Sequence, residues 1–326
     1  MSEMSKLLEV EDISISFTVG GRRLHALRGV SLDVAKGEVV GLVGESGSGK
    51  STVAKVVMGL YPPDKGKVKF RGRDITNISL AERRAVWKEM QLIFQDPYSS
   101  LNPRMTIGQI LAEPLEAHRF GSRAEIEKRC AELVADVGLP AETLKRYPNQ
   151  FSGGQRQRIA IARALALSPE LVIADEPVSA LDVSVQAQII TLFKEVLARR
   201  NIGMMIIAHD LALLYHFADR LVVMYAGQVV EEGPTREVIA NPQHPYTLSL
   251  IQASPEPEPG SWRGSFLLPA EPPSPFAPPA GCAFMSRCPL SKPDCATTPV
   301  ALRNVGPAKK TACLYPQAMK ERGLLS

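Results

Sequence analysis

The nine residues Gly44-Glu45-Ser46-Gly47-Ser48-Gly49-Lys50-Ser51-Thr52 follow the pattern G-x-x-x-x-G-K-[ST], which is suited to holding phosphate. Glycines in such a loop let backbone N–H groups come close to an anionic chain. A helix starting near Lys50 adds positive potential at its N-terminus. Lys50 would reach the β- and γ-phosphates, and Ser51 would ligate Mg²⁺. A Gly-rich turn can match these letters by chance, but the apolar run Glu38 to Val43 before it and the helical stretch Ser51 to Leu60 after it argue otherwise.

A second anion-binding pattern is Phe151-Ser152-Gly153-Gly154-Gln155, directly before a predicted helix. It again combines a hydroxyl, flexible glycines and a helix N-terminus. A third is Leu171-Val172-Ile173-Ala174-Asp175-Glu176, an apolar strand ending in two acids. Carboxylates at a buried strand end are costly unless a cation compensates. Asp175 would hold Mg²⁺ through water, and Glu176 would act as general base on an attacking water. Gln95, after Leu92-Ile93-Phe94, is placed to contact Mg²⁺ or that water. Ser179-Ala180-Leu181-Asp182 closely follows the acidic pair, and His209 ends an apolar strand where it would bond a γ-phosphate. Phe17 would stack on an adenine ring, although a core strand phenylalanine accounts for it equally well.

These residues need strands and helices to carry them. The expected elements are strands at 38–43, 171–174 and 204–208, helices at 51–60, 123–137, 155–167 and 185–199, and a hairpin over 220–231 turning at Ala226-Gly227. Residues 79–168 read as mostly helical. Strands alternating with helices give an α/β fold with a parallel sheet. Nine prolines between Pro255 and Pro279 rule out regular helix or central strand there and read as an extended linker.

The chain has 326 residues, 45% hydrophobic and 22% charged, with a formal net charge of +4. That is ordinary globular composition, and it has no dense Lys/Arg block of the kind that argues for nucleic acid. The N-terminus lacks a basic segment followed by an apolar one, so no secretory signal is expected. Apolar runs fall far short of the ~20 residues of a membrane helix. The expectation is a soluble protein carried to a membrane by other subunits.

Five cysteines are present. Cys130 stands apart, and Cys282, Cys288, Cys295 and Cys313 cluster near the C-terminus. Four thiolates suit either zinc or an iron–sulfur cluster, although the spacings are not the C-x₂-C of zinc ribbons.

Taken together, GESGSGKST, Gln95, FSGGQ, LVIADE, SALD and His209 resemble the nucleotide-binding domain of ABC transporters over residues 7–250. The resemblance implies a P-loop, RecA-like α/β domain over residues 1–253. It would have an antiparallel β subdomain, a helical subdomain at about 96–168, and a Pro/Cys-rich extension over 254–326. It makes Gly44–Thr52 the Walker A loop and Leu171–Asp175 the Walker B strand, with Glu176 as catalytic base. Phe151 to Gln155 becomes the signature motif, with Phe where many members have Leu. Two such domains would meet head to tail, with ATP held between the Walker A loop of one and Ser152, Gly153 and Gly154 of the other.

A narrower resemblance rests on Phe94–Pro103, Asp175–Ser184, His244-Pro245-Tyr246-Thr247 and Glu271-Pro272-Pro273-Ser274-Pro275. It points to the oligopeptide/dipeptide importer ATPases, "F" type. It implies as partners a second, "D"-type ATPase, two transmembrane permease subunits and an extracytoplasmic solute-binding protein, at the cytoplasmic face of the membrane. It also implies a [4Fe–4S] cluster on the four cysteines, with zinc as the alternative. Importers of nickel, glutathione, opines and some sugars share these motifs. Non-transport ABC proteins usually carry a long coiled-coil insertion or two such domains, which this chain lacks. Intact Glu176 and His209 argue against a subunit that binds ATP without cutting it.

Overall fold

The computed structural model describes residues 6–95, 100–253, 271–317 and 319. In chain order its strands are β1 (Lys6–Val19), β2 (Arg22–Ala35), β3 (Val39–Val43), β4 (Lys65–Phe70), β5 (Arg73–Asp74), β6 (Met90–Ile93), β7 (Leu171–Asp175), β8 (Gly203–Ala208), β9 (Arg220–Tyr225), β10 (Gln228–Pro234), β11 (Arg303–Gly306) and β12 (Lys309–Thr311). Its helices are α1 (Lys50–Val57), α2 (Leu80–Glu89), α3 (Ile107–Ala117), α4 (Arg123–Asp136), α5 (Gly153–Ala164), α6 (Val183–Arg200), α7 (Leu211–Phe217), α8 (Thr235–Ala240) and α9 (Pro245–Ala253). The chain divides into two compact units.

The first unit holds the described residues of 1–7, 35–38 and 78–206. In it β6 and β7 run parallel, from Met90 beside Leu171 to Ile93 beside Ala174. β7 is buried except at Asp175, the burial pattern of a strand covered on both faces. Helices α2 to α5 each begin on a Ser or Thr whose hydroxyl accepts the third helical N–H, while a Glu or Gln side chain accepts the cap's own N–H. These reciprocal bonds satisfy helix-end donors and fix where each helix starts. Because Ser152 caps α5, that helix begins at Gly153 rather than at the expected Gln155. Strand β6 lies inside the stretch read as mostly helical. Four residues are too few to show a period.

The second unit holds 8–34, 39–77 and the described residues after 206. A four-stranded sheet has the order β2-β1-β4-β5, with β1 and β4 antiparallel. Elsewhere in this unit β3 runs parallel to β9, with Val43 beside Val223, and β10 returns antiparallel to β9. The expected 220–231 hairpin is therefore β9–β10, and its turn places Ala226 and Gly227 at positive φ. Beyond the proline-rich stretch, β12 pairs with β10 and β11 pairs with β12, so the cysteine-bearing residues include two added strands. Lys309 ties β12 down. It is 5% exposed, bonds the Glu237 and Asn241 carbonyls, and lies 3.5 Å from the fully buried Glu231.

Among the described residues, no helix is long and apolar enough to cross a membrane.

Candidate functional site

The phosphate-loop pattern lies between β3, all five of whose residues are buried, and α1. The Lys50 ammonium is held by the Gly44 carbonyl at 2.7 Å and the Glu45 carbonyl at 3.0 Å, with the Ser48 hydroxyl at 3.5 Å. Gly49 caps α1 at φ 104°, and a Cβ there would meet Leu27 Cδ2 at 2.7 Å. Glycine is therefore required by backbone angle and by space together. The β9–β10 turn closes the loop's far side, with Gly227 N–H donating to the Ser48 carbonyl at 3.0 Å. Ser46 and Gly47 are exposed, Ser48 is buried, and Ser51 and Thr52 in α1's first turn are half-buried. The expected phosphate-binding surface is thus open at the loop's tip and fixed at its base.

Two contacts on this loop were invisible to sequence reasoning. Glu45 N–H donates to the Tyr246 hydroxyl at 2.7 Å, and the Glu45 carboxylate accepts both terminal nitrogens of Arg287, at 2.8 and 3.1 Å. In the sequence His244-Pro245-Tyr246-Thr247 carries only a family resemblance, and no local signal pairs Arg287 with Glu45.

Phe17, on β1, is half-buried and meets Tyr61 edge to face, with ring centroids 5.3 Å apart. Lys55 lies 5.6 Å from the Tyr61 ring. An aromatic pair thus stands where a lone ring was expected.

In the first unit the structure brings Gln95 and Glu176 together: Gln95 Nε2 donates to Glu176 Oε2 at 2.8 Å. Glu176 follows Asp175, the last residue of β7, and holds φ at 47°. Such a conformation is uncommon for a non-glycine residue and clusters at functional sites. The turn after it is braced by the Ser179 hydroxyl donating to the Glu176 carbonyl at 3.1 Å. Asp182 caps α6 by accepting from Val185 N–H at 3.0 Å, and this bond holds its carboxyl below the usual range.

The Phe151–Gln155 pattern is built as expected, at the start of α5. Phe151 is buried and Ser152 is exposed. Ser152 N–H donates to Gln155 Oε1 at 3.1 Å, and Ser152 Oγ accepts Gln155 N–H at 3.4 Å. A Cβ on Gly154 would meet Val185 Cγ1 at 2.5 Å, so this glycine admits α6 close by. His209 ends β8 in the second unit and is exposed. Asp96 to Ser99, which carry part of the narrower resemblance, lie outside the described residues.

The four C-terminal cysteines line a single cavity together with His244, Phe284 and Tyr315. Burial pushes the Cys288 thiol up to about 12 and Cys313 to about 11, and raises Cys282 as well. No group of three or more His, Cys, Asp or Glu among the described residues stands close enough to hold one metal ion. The cavity wall is anchored by a T-shaped contact between Phe284 and Tyr225 and by Cys282 N–H donating to the Cys295 carbonyl at 2.8 Å.

Comparison with known proteins places this arrangement. A family model described as ABC transporter matches residues 27–179, and one described as oligopeptide/dipeptide transporter, C-terminal region, matches residues 230–295. Among solved structures, cbiO1 from Clostridium perfringens, part of the ABC transporter complex cbiONQ, is 29% identical with TM-score 0.65, covering 72% of this chain and 91% of that one. A dimeric post-hydrolysis state of the ATP-binding cassette MJ0796, bound to ADP and Pi, is 30% identical with TM-score 0.64, covering 70% and 99%. The fold and motifs define an ABC ATPase cassette.

The oligopeptide transport ATP-binding protein OppF of Salmonella typhimurium is 47% identical over 304 residues, covering 90% of this chain and 91% of its own length. OppF of Escherichia coli is 46% identical over the same shares. The chain belongs to the ABC transporter ATP-binding subunits of the oligopeptide/dipeptide importer family.

Proposed function

We propose that this chain binds and hydrolyses ATP to drive import of oligopeptides or dipeptides, as one of two ATPases in a transporter. The observation that carries the catalytic half is the Gln95–Glu176 hydrogen bond beside Asp175. It supports this reading because a carboxylate held by an amide can polarise an attacking water.

In this reading Lys50 and the loop amides hold the β- and γ-phosphates, and His209 bonds the γ-phosphate. Phe17, with Tyr61 against it, offers an aromatic surface to the adenine. Ser51, Asp175 and Gln95 are oxygen donors, a set that suits a hard cation such as Mg²⁺. Held there, Mg²⁺ would supply positive charge to offset that of the phosphates. Glu176 takes the water's proton as the terminal P–O bond breaks. Ser152, Gly153, Gly154 and Gln155, at the start of α5, meet a nucleotide held by a second ATPase. This head-to-tail reading is supported by the exposed position of Ser152, and the dimeric form of a 30% identical cassette is consistent with it.

The second ATPase is of the "D" type. Two permeases and an extracytoplasmic solute-binding protein complete the complex, at the cytoplasmic face of the membrane. The kinship with two oligopeptide transport proteins supports peptides over nickel, glutathione, opines or sugars as the cargo class. The four thiols around one cavity suit a [4Fe–4S] cluster, whose ligands surround several metal atoms. One zinc ion is the alternative. The cluster would clamp the C-terminal residues.

Affinity purification of the chain from its native host, with mass spectrometry of its companions, tests the assembly. Two permeases, a second ABC ATPase and a peptide-type binding protein are expected. Recovery with ribosomes, DNA or no membrane protein contradicts the importer reading.

A further inference from the structure

We propose that Arg287, carried by the cysteine-bearing C-terminal residues, is a positioning residue of the ATP site that acts through Glu45 of the phosphate loop. This rests on the reading of Gly44–Thr52 as the loop that holds ATP.

The geometry is two-pronged. Arg287 Nη1 lies 2.8 Å from Glu45 Oε2 and Nη2 lies 3.1 Å from Glu45 Oε1, which is the fork-to-fork pairing that only arginine makes with a carboxylate. The Arg287 side chain is 7% exposed and that of Glu45 29%, so the pair is held largely out of water. Arg287 Nη1 also reaches the Tyr225 hydroxyl at 3.4 Å.

Three rings form the block beneath this pair. Tyr225 and Tyr246 lie 4.6 Å apart between centroids, and Phe284 stands 5.3 Å from Tyr225 and 5.5 Å from Tyr246. All three rings are almost fully buried. Tyr246 uses its hydroxyl to receive Glu45 N–H at 2.7 Å. The loop residue is therefore gripped twice, by its backbone from α9 and by its side chain from Arg287. Both grips are mounted on one aromatic block. A short turn, with Arg287 N–H donating to the Phe284 carbonyl at 3.0 Å, locks Arg287 to the ring that completes that block.

The consequence is electrostatic as well as steric. Glu45 is the one carboxylate in a loop that receives a polyanion. Its carbonyl also helps hold Lys50, at 3.0 Å, so the residue Arg287 fixes is the residue that orients the phosphate-binding ammonium. With Arg287 in place the Glu45 charge is neutralised. Without it, a negative charge is left uncompensated in the loop that holds the phosphates, and only the backbone grip on Glu45 remains. Arg287 immediately precedes Cys288, so whatever orders the cysteine cavity also sets this grip.

The test is equilibrium binding of MgATP and MgADP to the full-length chain, with Arg287→Gln, Arg287→Lys, Glu45→Gln, the Arg287→Gln/Glu45→Gln double variant and Lys50→Ala measured in parallel. Arg287→Gln is expected to weaken MgATP binding about tenfold and MgADP less, since the penalty from one uncompensated charge grows with ligand charge. In the Glu45→Gln background the same change should alter MgATP affinity less than about twofold, because the charge it would leave unpaired is gone. Arg287→Lys, which keeps the charge, should recover at least half of the loss on a logarithmic scale. A merely structural role would weaken both nucleotides equally and persist in the Glu45→Gln background, and that pattern overturns the proposal. So does wild-type ATP affinity in Arg287→Gln, or Arg287→Lys binding as poorly as Arg287→Gln. Lys50→Ala separates the two layers. If it abolishes ATP binding, the loop reading stands whatever Arg287 does, whereas unchanged binding removes both.

Discussion

Gln95 donates a 2.8 Å hydrogen bond to Glu176, whose backbone is held at φ 47° at the end of a buried strand. The amide fixes the carboxylate through Oε2. The strained backbone keeps the side chain from relaxing into an ordinary turn. Glu176→Gln should therefore lower kcat for ATP hydrolysis by about 10²–10⁴, the usual worth of a general base, while ATP binding persists. Steady-state hydrolysis and nucleotide binding on the same preparation check this. Turnover within twofold of wild type would take Glu176 out of the mechanism.

Gln95→Ala removes the orienting amide and leaves the base. Its expected effect is about a tenfold drop in kcat with little change in KM for ATP, because the lost interaction serves the reaction more than binding. A rise in KM alone would instead make Gln95 a nucleotide ligand.

Gly154→Ala would push a Cβ to within 2.5 Å of Val185 Cγ1. Overpacking of this kind costs about 1–3 kcal/mol, and here it would separate α5 from α6 at the Phe151–Gln155 pattern. Lower unfolding stability and weaker ATP-dependent pairing of the two ATPases are both expected. Wild-type pairing in Gly154→Ala would show that this helix start does not serve the partner's nucleotide.

Buried polar groups in the second unit set an acid limit. Burial pushes the His244 pKa from 6.5 down to about 3, and its Nδ1 accepts Tyr246 N–H at 3.1 Å. The unfolded chain therefore binds more protons here between pH 6.5 and 3, so stability drops as the pH is lowered through that window, by up to about 1.4 kcal/mol per unit. Glu231 acts oppositely. Burial raises it from 4.5 to about 6, so protonation between pH 6 and 4.5 favours the folded state. The net loss steepens below about pH 4.5. Urea unfolding from pH 7 to 4 should show His244→Gln losing less stability than wild type as pH falls, and gaining stability between pH 6 and 4.5, where Glu231 alone then titrates. Parallel profiles would contradict the assignment.

Lys309→Met leaves Glu231, with no exposed surface, without its cation. Breaking a buried pair from one side costs about 3–5 kcal/mol, so the unfolding midpoint should drop sharply. Adding Glu231→Gln to Lys309→Met should recover part of the loss, since no unpaired charge then remains.

The local chemistry of the site was readable in the sequence because loop glycines, helix caps and apolar strands leave short-range marks. The strand–loop–helix at Val39–Val57 and the capped start of α5 at Ser152 are of this kind. Long-range partners were not readable. Arg287 and Glu45 are 242 residues apart, Gln95 and Glu176 are 81 apart, and only folding relates them. β11 and β12 have four and three residues, too few for alternation to show, so a stretch read as linker and cysteine tail also supplies strands to β10.

The most direct test of the central claim is uptake of a labelled tri- or tetrapeptide into proteoliposomes containing the natively purified complex. The proteoliposomes would be supplied with binding protein on one side and MgATP on the other, with wild-type or Glu176→Gln chain. The account predicts ATP-dependent accumulation with wild type and none with Glu176→Gln, although the variant still binds ATP. Accumulation that survives Glu176→Gln, or ATP hydrolysis that no peptide and binding protein stimulate, would contradict it.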